Sequence, residues 1–229
     1  MKAVFLLISI VSLSACSSGL DVNQIRDKQS GLNALIITIP QTQNKGFVFL
    51  DTPDNTRVFT IDAYWDPSKY TLMFNGGYFE EDFSPSGFFK VNGKMVQETV
   101  SEKLSGFVAL NEEGALYVLA RDEKLEAYSS AIQSGPFVID PGGQIGIRSQ
   151  SERKAERTLV GVTQDASIVI IVTEPVTLHD LAHAIKKHLP AVDRLLNLDG
   201  EPSTALKTSS HEILNKGPVR NYIALTGQQ

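Results

Sequence analysis

The sequence predicts a single α+β domain made mostly of strands, with a mixed or antiparallel sheet core. Three observations carry this prediction. Short apolar or alternating runs recur along the chain, turn-forming residues separate them, and only one stretch has helical spacing. Strands in succession with few helices are typical of α+β proteins, whereas parallel-sheet folds alternate strands with helices.

The strands are placed by apolar runs that end in turn residues. They are predicted at 35–39, 47–50, 57–61, 71–74, 106–110, 115–120, 158–163, 167–173, 194–198 and 221–225. Asn92-Gly93 predicts a tight hairpin, because this pair tolerates the positive φ angles of such a turn. A second hairpin is predicted around Asn111 to Gly114.

One amphipathic helix is predicted over residues 177–189. Thr177 is a suitable N-cap, Asp180 follows three residues later, and Pro190 lies just beyond the end. The apolar side chains fall on one stripe, which we expect to be buried: Leu178, Leu181, Ala182, Ile185 and Leu189.

The first residues have the pattern of an export signal. A single Lys2 precedes a short apolar run, which is too short to span a bilayer, and Leu13-Ser14-Ala15-Cys16 resembles the lipobox of bacterial lipoproteins. We therefore expect a signal peptide at 1–15, lipidation of Cys16, and a polar tether over 16–30. Ser17 favours the outer membrane, with the domain facing the periplasm.

Composition limits the classes of partner. Cys16 is the only cysteine, so residues 31–229 are expected to form one domain stabilised by burial without a disulfide. The net charge is −5 and basic clusters are missing from the sequence, which argues against nucleic acid as the main partner. Contact with the membrane is expected through the lipid anchor alone. No cofactor is predicted, and the need for a divalent ion is left open.

Three segments share one design, in which an apolar strand stops at polar and glycine residues. They are Asn75-Gly76-Gly77, Ser134-Gly135-Pro136 and Asn197-Leu198-Asp199-Gly200. Side chains alternate along a strand, so Asn197 and Asp199 should lie on one face. Glycines allow close approach of the backbone and leave amides for binding oxygen atoms. Taken singly, each segment is equally compatible with an ordinary turn.

Taken together, these segments resemble the phosphodiester glycosidase family. The resemblance includes Arg157 to Thr163 and the late Val219-Arg220-Asn221, and it spans most of the chain from about Phe47 to Leu225. Two features depart from the family pattern. Glu201-Pro202 stands where further glycines are usual, and Arg220 stands where proline is usual.

The resemblance implies a hydrolase that cleaves a sugar–phosphate linkage in a glycan or its precursor. Arg157 suits the phosphate because a guanidinium makes paired hydrogen bonds to it. Asp199 is the preferred nucleophile or base, Asn75 is a third catalytic candidate, and Glu80, Glu81 and Glu201 are reserve carboxylates. The expected substrate-binding residues are Gly76, Gly77, Ser134, Gly135, Asn197, Gly200, Ser203, Thr204 and Asn221.

Two other functions stay open: a non-catalytic module that binds a glycan or a partner protein, and a metal-dependent phosphodiesterase. His179 and His183 mimic the paired histidines of a zinc helix, but Lys186 on the same flank opposes a cation, so a solvated helix face is the preferred interpretation. Four aromatic residues are candidates for sugar stacking, although core packing is favoured for most of them: Tyr64, Trp65, Tyr70 and Tyr78.

Overall fold

The computed structural model describes residues 20–52 and 60–227. The predicted signal peptide, Cys16 and Ser17 lie outside these ranges. In chain order the strands are β1 (Asp21–Asp27), β2 (Leu32–Ile39), β3 (Phe47–Asp51), β4 (Tyr70–Asn75), β5 (Phe89–Val91), β6 (Lys94–Gln97), β7 (Gly106–Leu110), β8 (Leu116–Ala120), β9 (Ser130–Ser134), β10 (Phe137–Asp140), β11 (Gln144–Ile145), β12 (Ala155–Thr163), β13 (Ile168–Val176), β14 (Val192–Asn197), β15 (Leu206–Thr208), β16 (Glu212–Ile213) and β17 (Asn221–Thr226). The helix α1 spans Leu178–His188, and short 3-10 turns occupy Gln41–Gln43 and Ile61–Ala63.

The strands form three sheets, and every pairing between described strands is antiparallel. The first sheet has the order β1-β2-β13-β12-β14-β10-β11, the second β16-β15-β4-β17-β3, and the third β6-β5-β9-β7-β8. With a single α-helix in the described ranges, the fold is mostly β. The α+β prediction therefore fits only roughly, while its strand-rich antiparallel core is confirmed.

The main core lies where the three sheets face one another. Its buried side chains come from each sheet in turn, with Val160 and Leu196 from the first, Phe74 and Ile223 from the second, and Phe89 from the third. This shared core fixes the ends of β4, β12 and β14 relative to one another. The ends of β4 and β14 carry two of the polar segments singled out in the sequence, and the start of β12 carries Arg157.

The helix covers the outer face of the first sheet. Leu181 and Ile185 are buried there together with Leu159 and Leu195, and fully burying one such side chain contributes roughly 1.5–3 kcal/mol. Thr177 accepts a hydrogen bond from the backbone N–H of Asp180 at 3.0 Å, which confirms the predicted N-cap. No helix in the described part of the chain is long and apolar enough to cross a membrane.

Most predicted strands and both hairpins are confirmed. Asn92 and Gly93 both have positive φ, at 49° and 77°, between β5 and β6. The predicted strand at 57–61 is wrong at its end, because Ile61 begins a 3-10 turn; residues 57–59 lie outside the described ranges.

The predicted tether is corrected as well. Residues 21–27 form β1, which pairs with β2 along its whole length, from Asp21 opposite Thr38 to Asp27 opposite Leu32. Asp27 also accepts hydrogen bonds at the end of α1, from His188 at 2.8 Å and Lys187 at 3.0 Å. A polar strand can form here because it lies at the edge of the sheet, where one side faces water.

Candidate functional site

Asn75 holds the site together at the end of β4. Its side chain is buried, and its Nδ2 donates to the carbonyl oxygen of Asp199 at 2.7 Å. Its Oδ1 accepts from the Thr158 hydroxyl at 2.6 Å and from the Ala205 N–H at 3.0 Å. Both ends of this amide are therefore occupied within the protein. We assign Asn75 as a positioning residue and not, as the sequence suggested, a catalytic one.

The Asn197 segment is tied to the Ser134-Gly135 turn. The backbone carbonyl of Asn197 accepts from the Ser134 hydroxyl at 2.9 Å and from the Gly135 N–H at 3.0 Å. The side-chain Nδ2 of Asn197 donates to the hydroxyl of Tyr78. Its Oδ1 is buried, and within residues 20–52 and 60–227 it has no hydrogen-bond partner. Asn197 therefore keeps one acceptor for a ligand, whereas Ser134 and Gly135 serve the backbone.

The two glycines after Asn75 allow close approach to Asn221. A Cβ atom added at Gly76 would come 1.8 Å from Asn221 Oδ1, which no side chain can tolerate. The Gly76 N–H donates to the Asn221 carbonyl and the Gly77 N–H to its Oδ1, both at 2.9 Å. These amides are therefore used inside the protein, and the expectation that they would be free to bind a substrate is not met.

Asp199 lies just past the end of β14, with its backbone fixed on both sides. Its N–H donates to the Gly76 carbonyl at 3.1 Å, and its own carbonyl accepts from Asn75. Burial raises the pKa of the Asp199 carboxyl to about 6, although the neighbouring Ser203 side chain and the Gly200 N–H favour the ionised form. The result is a carboxyl group that titrates close to neutral pH.

Arg157 places a buried cation near the start of β12. Its exposed fraction is 9%, and its one hydrogen bond is long, from Nη2 to the Arg153 carbonyl at 3.5 Å. Among the residues that the structure describes, no acceptor reaches its Nε and no carboxylate forms an ion pair with it. Burying an unpaired charge is costly, so this arrangement is typical of a site that receives an anion.

Arg157 and Asp199 face the same side of the first sheet. Leu159 pairs with Asn197, and the Leu198 N–H donates to the Thr158 carbonyl at 2.8 Å, so continuing the register brings Asp199 opposite Arg157. Tyr78 is within electrostatic reach of both groups. Burial and then the Asp199 carboxylate raise the pKa of the Tyr78 phenol above its usual value, while Arg157 opposes the change.

Two buried threonine hydroxyls also lack a hydrogen-bond partner among the residues that the structure describes. Thr204 was predicted, and Thr173 was missed. Thr173 lies directly opposite Arg157 in the β12–β13 pairing, and its exposed fraction is 3%. Nothing in the sequence distinguishes Thr173, because a threonine in a β-branched strand is ordinary strand composition.

The remaining predicted residues are placed as follows. The Ser203 hydroxyl donates to the Pro218 carbonyl at 3.0 Å, and a Cβ at Gly200 would lie 2.7 Å from the Glu156 carbonyl. Glu201 pairs with Lys216 at 3.2 Å on the surface. Glu80 and Glu81 are exposed.

The other aromatic and histidine candidates pack elsewhere in the described structure. Tyr64, Trp65 and Tyr70 pack against the outer core of the second sheet, as the favoured interpretation expected. His179 contacts Asp180 and the ring of His183. In the described ranges no group of three or more His, Cys, Asp or Glu side chains is placed to hold a metal ion.

Comparison with known proteins gives one family match and several similar folds. Residues 68–226 match the family model described as phosphodiester glycosidase. The catalytic domain of zebrafish N-acetylglucosamine-1-phosphodiester alpha-N-acetylglucosaminidase, auto-inhibited by its pro-peptide, has a TM-score of 0.66 at 17% identity, over 96% of this chain and 87% of that one. No curated protein matches the sequence.

Two other solved structures share the fold. A hypothetical protein from Synechocystis has a TM-score of 0.69 at 13% identity, over 97% of this chain and 64% of that one. A putative exported protein from Burkholderia pseudomallei K96243 has a TM-score of 0.61 at 9% identity, over 90% of this chain and 74% of that one. At these identities the structural matches establish the fold alone.

Proposed function

Because this chain belongs to the phosphodiester glycosidase family, we propose that it hydrolyses the bond between C1 of a sugar and a phosphate oxygen in a sugar phosphodiester. The observation that carries the proposal is the buried guanidinium of Arg157, which has no ion-pair partner within residues 20–52 and 60–227 and lies on the same sheet face as the Asp199 carboxyl. A phosphate would supply the missing anion, and the carboxyl would act on the neighbouring sugar carbon.

Arg157 would bind the phosphate and stabilise its departure. When the C1–O bond breaks, the leaving phosphate monoester takes the bonding electron pair and gains negative charge. A guanidinium held in a buried site stabilises that charge more strongly than water does. Phosphate is already a good leaving group, so the site needs a cation more than it needs a strong general acid.

Asp199 would serve as the general base. With a pKa of about 6 it is mostly ionised at pH 7, yet it is more basic than an ordinary aspartate. It would take a proton from a water molecule whose oxygen forms the new bond to C1. This single displacement predicts inversion at C1, whereas retention would reassign Asp199 as the nucleophile of a covalent intermediate.

Tyr78 would donate a hydrogen bond in the same site. Its hydroxyl oxygen accepts from Asn197, which leaves its own hydrogen available. The raised pKa keeps the phenol protonated across the physiological range. It is therefore suited to contact a substrate oxygen between Asp199 and Arg157.

The proposal is tested by turnover of the methyl phosphodiester of N-acetylglucosamine 1-phosphate, with the glucose and mannose analogues in parallel. The first sugar is chosen because the zebrafish protein of similar fold is named for it. Hydrolysis in ¹⁸O water should place the label on the sugar. Label on phosphate would instead indicate a phosphodiesterase, and binding of the whole panel without any product would indicate a non-catalytic module.

We further propose that the protein is a lipoprotein of the bacterial cell envelope, anchored through Cys16 in the outer membrane and facing the periplasm. The support is the lipobox at Leu13-Ser14-Ala15-Cys16. Expression in a bacterial host with labelled palmitate should label the wild-type chain in the membrane fraction. Cys16→Ala should be unlabelled, and equal labelling of both chains would contradict the proposal.

A further inference from the structure

The loop that follows Tyr78 presents two aromatic rings outside the core. The rings of Phe79 and Phe83 are stacked, with centroids 5.0 Å apart and planes 18° from parallel. Both side chains are half-buried, and neither ring belongs to the hydrophobic clusters of the described residues. The pair therefore presents part of its apolar surface to solvent.

The loop is held in a costly conformation. Phe83 has a positive φ of 66°, in the left-handed region that bulky residues rarely adopt. Its N–H donates to the Glu80 carbonyl at 2.9 Å, closing a tight turn. Strained residues persist only where the surroundings fix them, and such positions are often part of a functional site.

Contacts of the Arg220 side chain hold this loop in place. Its side chain is buried, its Nε donates to the Phe83 carbonyl at 2.7 Å, and its Nη1 pairs with Asp51. The guanidinium also lies over the ring of Phe89, 5.8 Å from its centroid. The next residue, Asn221, binds the amides of Gly76 and Gly77, so one short segment fixes the chain on both sides of Tyr78.

We propose that the Phe79–Phe83 stack is the subsite for the apolar face of the substrate sugar, and that Arg220 is the positioning residue that holds it there. This rests on the proposed function, because it places the sugar of the substrate beside Tyr78, which directly precedes Phe79 in the chain. Sugar rings carry an apolar face of C–H groups, and flat aromatic side chains bind it with little loss of conformational freedom. In this chain Arg220 would thus take part in sugar binding without touching the sugar.

The test measures sugar binding and phosphate binding separately in three variants, which are Phe79→Leu, Phe83→Leu and Arg220→Lys. Phe88→Leu is the matched control, since Phe88 is also half-buried and packs edge-on against Phe107 in the third sheet. We expect KM for the sugar phosphodiester to rise about fivefold in each of the three variants, which corresponds to the loss of one aromatic contact of about 1 kcal/mol. The value of kcat and the inhibition constant of inorganic phosphate should stay within about twofold.

A second measurement keeps the inference testable if no sugar phosphodiester is turned over. Saturation-transfer NMR with free N-acetylglucosamine, glucose and mannose should show contact with the ring protons in the wild type and in Phe88→Leu. The signal should be lost in Phe79→Leu and Phe83→Leu. Unchanged KM, or sugar contact retained in both variants or absent from the wild type, would overturn the subsite whether or not hydrolysis is found.

Discussion

Arg157 and Thr173 lie directly opposite each other on β12 and β13, and each has a buried polar atom without a partner in the described ranges. Cβ atoms of such cross-strand partners are about 4.5–5.5 Å apart, so one ligand oxygen can reach both side chains. The pair is therefore a candidate anion site formed by neighbouring strands, and a single substitution at Thr173 can test it.

We expect Thr173→Val to weaken phosphate binding while leaving the fold intact. Valine has nearly the same shape and removes the hydroxyl, so the loss should be about 3- to 15-fold, the worth of one hydrogen bond. Calorimetric titration with inorganic phosphate measures this directly. Thr158→Val is not a suitable control, because the Thr158 hydroxyl donates to Asn75. The control is Thr71→Val, which removes the hydroxyl of a half-buried threonine in the second sheet that bonds to the Leu225 carbonyl, and it should bind phosphate like the wild type.

Arg157→Lys should lower kcat/KM by about 10- to 100-fold. Lysine keeps the positive charge but loses the planar fork that matches phosphate oxygens. The Kd for phosphate should rise in parallel, and circular dichroism should show an unchanged fold. A variant with wild-type turnover would remove Arg157 from the mechanism.

Activity should fall in acid with an apparent pKa of about 6. The proposed base must be ionised, and burial raises the pKa of Asp199 to about that value. At pH 5 the initial rate of sugar release should therefore be about tenfold below its plateau. A profile that is flat between pH 5 and pH 8 would contradict the assignment of Asp199 as the base.

Asp199→Asn should abolish activity and stabilise the protein at pH 7. A folded-state pKa raised from 3.8 to about 6 means that the folded chain binds this proton more tightly than the unfolded chain does. The stability from this group is therefore full below about pH 4, declines as pH rises towards 6, and stays low above it. Removing the charge should recover up to about 3 kcal/mol at pH 7.

Urea unfolding at pH 4 and pH 7 checks that sign. The gain of Asp199→Asn over wild type should be present at pH 7 and small at pH 4. A destabilised Asp199→Asn at pH 7 would mean that the carboxylate is held by favourable contacts, and that burial does not dominate its pKa.

Gly76→Ala should destabilise the protein by several kcal/mol, because the added methyl group would displace the Asn221 side chain and break its bond to the Gly77 N–H. Gly93→Ala is the comparison, since no atom lies within 4 Å of a Cβ there, and its cost should come only from the positive φ. Thermal unfolding of both variants gives the difference. Equal losses would contradict a packing role for Gly76.

Patterns that depend on local chemistry could be predicted from the sequence. The cap at Thr177, the Asn92-Gly93 turn and the hydrophobic stripe of α1 each follow from a few neighbouring residues. The strand β1 could not be predicted, because it is polar and lies at the edge of a sheet. Residues 21–27 have no hydrophobic pattern, and the strand is stabilised by its pairing with β2.

The roles within the candidate site depend on distant partners and could not be read from residue type. Asn75 stands in a motif typical of a site, but only the bonds to Asp199, Thr158 and Ala205 show that its amide is occupied. Glu201 stands beside Asp199 in the chain, yet it pairs with Lys216. Sequence order brings such residues together, whereas the register of strands decides which side chains meet.

The edge position of β1 has a mechanical consequence for a lipid-anchored chain. Asp21 is the fifth residue after Cys16, so the proposed lipid tether would be at most about 18 Å long and β1 would bear any pull on it. A force applied at Asp21 would separate β1 from β2 one residue pair at a time. The separation would proceed towards Asp27, which accepts hydrogen bonds from Lys187 and His188. Strand β1 would then detach first, while the rest of the sheet, which carries Arg157 and leads into Asp199, stays folded.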